Sequence, residues 1–173
     1  MQHSDILLTI SEIAVTFAGF AGIVILFLRR DAGTWVAADV SRFSTMIAFA
    51  LGALVFSLLP FLFLSAQMSE TTTWRVCSAL LALFLALMHV NPIRAIIRSD
   101  RGEFNPFLVA IVVGGSAVFF LMLLSNALGF VFRRGFTGYF AGLFWLVLAA
   151  SILFARLVYL GVQDRLRNPG SDS

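Results

Sequence analysis

Glu12 is the one carboxylate set deep in an apolar run of this chain, and the residues around it repeat with helical spacing. Asp5, Thr9, Glu12, Thr16 and Gly19 follow steps of 4, 3, 4 and 3, which puts them on one face of a helix in a packed bundle. Charged and amide side chains at bilayer depth are costly, so each is by default a candidate for ion, proton or partner binding. In a wet pore, a ring of such carboxylates favours cations. In a dry bundle the same group would hydrogen-bond a neighbour and hold helices together, at about 1 kcal/mol or less.

Other residues fall at matching depth. Glu12 lies six residues into its apolar segment, about 9 Å at 1.5 Å per residue. Asn126 lies six residues from the same end of the fourth segment, and Pro60 six from that of the second. Pro60 has no amide hydrogen, so the carbonyl of Phe56 loses its helical partner. Ser57 and Ser125 neighbour this level. Glu12, Thr9, Thr16, Asn126, Ser125 and Ser57 are therefore the expected pore-lining or ion-binding set, gathered in one outer polar layer. A second, inner layer is expected from His89, Asn91 and Arg156, together with the Met88 carbonyl freed by Pro92. His89 fits a structural pairing or a proton relay. Arg156 fits a side chain that snorkels its head to the lipid headgroups, or a fixed positive charge at an inner mouth.

Much chemistry is excluded. No second His, Cys or carboxylate stands at ligand spacing from His89, so no metal site is expected. The sequence holds no nucleophile with its base, P-loop, zinc signature or dinucleotide fingerprint, and no cofactor or enzymatic role is expected. Gly114-Gly115-Ser116 sits in apolar sequence and reads as helix packing. The single Cys77 cannot form an intrachain disulfide. Nineteen phenylalanines could include a dewetting gate, but most must face lipid or neighbouring helices.

The elements that position these residues are legible from hydropathy. The chain has 173 residues, of which 60% are hydrophobic, and a mean hydropathy of +0.97. A bilayer core about 30 Å thick takes about 20 apolar residues per helical crossing. Five segments qualify: 6–28, 43–66, 76–97, 107–132 and 138–160. The expected fold is all-α, a polytopic integral membrane protein of five transmembrane helices in one domain spanning 1–173. Ala14, Ala18 and Gly22 form a row of small residues at spacing four on the first helix, suited to close approach of another helix. The polar stripe and this row together make the first helix the expected interior element of an assembly.

The basic residues are twelve arginines and no lysines. One side of the membrane receives Arg29, Arg30, Arg42, Arg94, Arg98, Arg101, Arg165 and Arg167. The other receives Arg75, Arg133 and Arg134. Cytoplasmic loops carry the excess of Lys and Arg, which predicts the N-terminus outside and the C-terminus in the cytoplasm. Were the third segment re-entrant, the arginines would divide almost evenly, so it is read as a crossing. Trp35, Trp74 and Tyr139 are expected at the water–membrane interfaces. Arginines scattered around apolar spans, with no basic stripe on a soluble surface, do not suit nucleic acid.

The resulting expectation is a small homo-oligomeric ion channel or pore in a bacterial inner membrane. Its partners would be the lipid bilayer, further copies of the chain in a closed ring, and ions or protons. The alternative is a membrane scaffold or regulatory subunit that transports nothing and binds a partner complex.

Overall fold

The computed structural model describes the backbone of residues 3–31, 37–98, 106–130 and 135–167, and the side chains of 3–23, 43–90, 110–130 and 135–159. Every element among them is a helix: α1 (Ser4–Asp31), α2 (Ala37–Ser65), α3 (Glu70–Arg98), α4 (Pro106–Leu128) and α5 (Phe136–Arg167). The shortest has 23 residues and the longest 32, so they run about 35–48 Å. All five are long and apolar enough to cross a membrane, as expected for a multi-pass membrane protein.

The element boundaries differ from hydropathy in informative ways. α3 begins six residues before its apolar segment, because Ser69 caps it. The Ser69 hydroxyl accepts the Thr72 amide at 3.3 Å and lies 2.7 Å from the Thr72 hydroxyl. A Ser at this position satisfies one of the orphan amides of a first helical turn. α4 stops at Leu128 rather than running to Phe132, because Gly129 takes a left-handed conformation, φ 83°. The amides of Gly129 and Phe130 fold back on the carbonyls of Ser125 and Asn126 and close the helix. Gln67 (φ 60°) ends α2 in the same manner, with its amide on Leu64 and that of Met68 on Phe63.

Helices α1, α2, α3 and α4 follow one another in an arc, each touching the next, and α5 packs against all four. The last helix in the chain is therefore the central one. Its inward residues mix small, aromatic and leucine side chains: Gly138, Tyr139, Gly142, Leu143, Trp145, Leu146, Ala149 and Ala150 are all buried. Glycine is needed where backbones or rings come closest. A Cβ on Gly142 would lie 2.8 Å from Leu123, and one on Gly115 would lie 2.1 Å from the Trp145 ring. Gly115 thus leaves room for an indole, and Ser116 beside it accepts the indole N–H at 2.8 Å. Phe119 stacks on the same ring, centroids 5.0 Å apart. Small residues at helix contacts do in lipid what the hydrophobic effect does in water, because they let dispersion contacts form at short range.

α1 lies at one end of the arc. It buries Leu7, Ile10, Ser11, Ala14 and Ala21 against its neighbours α2 and α5. Ala14 of the expected small-residue row is on that seam, whereas Ala18 and Gly22 are only half-buried. Within one copy of the chain α1 is peripheral and α5 interior.

Gly115→Ala forces a methyl into the Trp145 ring and is expected to lower stability by about 1–3 kcal/mol. Gly19→Ala, where a Cβ meets nothing within 4 Å, is expected to cost nothing and to gain up to about 1 kcal/mol of helix propensity. Thermal unfolding of both variants in one detergent checks the contrast.

Candidate functional site

The starts of α1, α3 and α5 and the ends of α2 and α4 meet at one end of the bundle, referred to below as its amino-terminal end. Asn126 is fully buried there, near the end of α4. Its amide nitrogen donates to the Ser78 hydroxyl at 2.8 Å and to the Gly135 carbonyl at 3.0 Å. Its amide oxygen accepts the Gly135 amide at 3.1 Å. One side chain thus pairs with both backbone groups of a single residue, as a neighbouring strand would, and ties the start of α5 to the end of α4. Gly138 has to be a glycine for this, since a Cβ there would sit 2.7 Å from the Asn126 side chain.

The Phe56 carbonyl freed by Pro60 is also paired. The Tyr139 hydroxyl donates to it, so the missing helical bond of α2 is replaced by one from α5. Tyr139 is fully buried and Trp74 nearly so. Both stand at the end of the bundle, as their sequence positions suggested, but they point into protein instead of toward headgroups. The reason is that each finds polar and aromatic partners inside. Trp74 donates to the Glu70 carboxylate at 3.4 Å and lies 5.8 Å from the Tyr139 ring, centroid to centroid. His3 completes this cluster, stacked on Phe136 at 3.9 Å and edge-on to Trp74 at 6.4 Å. Trp35 lies outside the described residues.

The expected outer layer is therefore divided. Ser57 is fully buried and donates to the Leu54 carbonyl of its own helix at 2.8 Å. The Ser125 hydroxyl is buried with no hydrogen-bond partner among the described residues, as is that of Thr73. Asn126 bonds Ser78 and Gly135. Glu12 joins none of them. It is exposed on the flank of the bundle, and so are Asp5, Thr9, Thr16 and Gly19. The spacing of the stripe is as read from sequence, but the whole stripe faces away from the rest of the chain.

Along that stripe the hydroxyls are turned inward to the helix. Thr9 donates to the Asp5 carbonyl and Thr16 to the Glu12 carbonyl, each at 2.8 Å. The Glu12 carboxyl has no hydrogen-bond or ion-pair partner among the described residues. It opens onto a groove of about 430 Å³ lined by Glu12, Ile13, Thr16, Phe17 and Phe20 of α1 and Phe154 of α5. Phe17 and Phe154 meet edge-to-face at 6.0 Å and join the two helices along the groove. This volume lies in the 300–1,000 Å³ range of small-molecule sites.

At the opposite end, His89 is half-buried; its Nδ1 lies 2.7 Å from the Leu85 carbonyl, one turn back on α3, and its ring faces Phe49 at 6.2 Å. Arg156 is half-buried on α5. Asn91 lies outside the residues whose side chains are described. No group of three His, Cys, Asp or Glu side chains that could hold a metal ion occurs among the described residues.

Sequence reasoning missed Ser78, Tyr139, the Ser116–Trp145 pair and the aromatic walls of the groove. Each depends on a partner in another helix, although Pro60 did announce the orphan carbonyl that Tyr139 serves. Compared with protein-family models, with curated proteins and with solved structures, the chain matches none.

Tyr139→Phe is expected to cost about 1 kcal/mol, the scale of an interhelical hydrogen bond in lipid. Pro60→Ala restores a local amide donor for the Phe56 carbonyl, so in that background the loss should shrink by half or more. A double-mutant cycle on detergent unfolding measures the difference; equal losses in both backgrounds would contradict the pairing.

Proposed function

We propose that this chain is the subunit of a closed homo-oligomer in a bacterial inner membrane, and that its α1 stripe faces a path for cations or protons. The observation that carries this reading is Glu12, exposed on the outer face of α1 with no partner among the described residues. A charged side chain facing acyl tails at mid-helix costs about 2.5–3.5 kcal/mol on insertion scales. Water or a second subunit across an interface removes that cost. Among the described residues the interior of one copy holds no carboxylate, and mostly Leu, Phe, Ala, Trp and Tyr side chains from all five helices fill it. Ring closure around the stripe would bring several Glu12 side chains to one level, which favours cations over anions. The arginine excess on the loops that follow α1 and α3 supports a cytoplasmic position for those loops and the C-terminus.

A second reading has its own support. Thr9 and Thr16 spend their hydroxyl hydrogens on their own helix, which leaves Glu12 as the stripe's one mid-helix polar group without a partner. That is a sparse lining for a water path, and it suits a single polar contact with a partner helix in a scaffold or regulatory complex.

Purified protein in liposomes separates the two. Monovalent cation or proton flux under an applied potential is expected from the wild type, with Glu12→Gln reducing it at least tenfold. Silence of the wild type across voltage and pH would overturn the conducting role and leave the partner-binding one.

A further inference from the structure

We infer that the groove beside Glu12 binds organic cations with apolar substituents, in preference to bare metal ions. The inference rests on the reading that the α1 stripe is the working face, and it names the class of ligand that face would take.

The argument starts from what the groove can offer a cation. Its side-chain oxygens come from two residues only, Glu12 and Thr16, and the Thr16 hydroxyl hydrogen is committed to the Glu12 carbonyl at 2.8 Å. The rest of the wall is Ile13, Phe17, Phe20 and Phe154. A calcium ion takes six to eight oxygen ligands and magnesium a near-ideal octahedron, so neither could shed its water here. A strongly hydrated ion held at one carboxylate between phenyl rings would lose more solvation than it regains.

An ammonium or phosphonium carrying alkyl or aryl groups faces the opposite balance. Its charge is dispersed and its substituents are already apolar, so leaving water costs little. Glu12 supplies the opposite charge, and attraction between unlike charges strengthens where the dielectric is low. The faces of aromatic rings attract cations by about 0.5–2 kcal/mol each, more when water is excluded. Phe17 and Phe154, fixed edge-to-face across the α1–α5 contact, present such rings from two helices. Phe20, more than half exposed, lines the groove one helical turn from Thr16 and two from Glu12. The volume of about 430 Å³ admits a ligand of drug size.

The test uses tetraphenylphosphonium, with tetraphenylborate as a probe of the same shape and opposite charge. Binding of each to the full-length protein in a mild detergent is followed by equilibrium dialysis, and the saturable component is separated from partition into empty micelles. Saturable binding of the phosphonium is expected, weakened at least tenfold by Glu12→Gln, while the borate shows none. Phe20→Leu should weaken binding about threefold or more and Phe20→Trp should retain it, because the ring face and not its bulk attracts the cation. Phe20 is exposed, so neither change threatens folding, and both proteins should elute as the wild type does. Equal binding of the two probes, or binding unaltered in Glu12→Gln, would overturn the inference. So would a wild type that binds no phosphonium, even if liposomes showed Glu12-dependent flux of inorganic cations, in which case the conducting role would stand alone. Saturable, Glu12-dependent binding by a protein that conducts nothing would support the groove and remove the channel.

Discussion

In hydrocarbon there is no water to complete a hydrogen bond, and each polar group within the span must find its partner in protein. That constraint accounts for most of the specific contacts in this bundle. The proline of α2 leaves one carbonyl open, and a tyrosine from α5 closes it. An asparagine on α4 pairs both backbone groups of Gly135 and still reaches Ser78 on α3. An indole N–H finds a serine. Thr9, Thr16 and Ser151 turn to a carbonyl one turn back on their own helix. Of the polar residues that looked from sequence like a lined path, Asn126 fastens helices together, and each such fastener in the bundle joins α5 or α4 to a neighbour. Glu12 stands out as a carboxylate that no side chain among the described residues satisfies.

The number and rough extent of the helices could be read from hydropathy alone, since each segment exceeds the thickness of a bilayer. The ends were less legible. One glycine at 129 halts α4 four residues early, and hydropathy continues through it without a mark. The period of the α1 stripe was also readable, and all five of its residues do share one exposed face. Its direction was not. In a soluble protein a polar face must turn outward; in a membrane the tails outside are as apolar as the core inside, so periodicity names a face without saying what it meets.

Pairing between helices was the least accessible level. Both halves of the Tyr139–Phe56 bond were visible separately, as an orphan carbonyl at Pro60 and as a tyrosine, but 83 residues separate them. A tyrosine near a span end reads as an interfacial anchor by composition. Here burial beside Trp74 and a hydrogen-bond acceptor within reach outweigh that preference. Glycine behaves likewise: Gly115 and Gly142 are packed to the limit, while Gly19 and Gly114 have space around them. Composition cannot rank them.

The position of α5 bears on how the molecule is made. Of the five helices it is the last to leave the ribosome, yet it is the one that all the others surround. α1 to α4 must enter the membrane first and wait as an open crescent, with Asn126, Ser116 and the Phe56 carbonyl all lacking partners that α5 and its leading loop residue supply. Lipid or a membrane chaperone has to occupy that cleft until α5 is inserted, and a chain cut short before Phe136 would lack the helix that completes its core, a natural target for quality-control proteolysis.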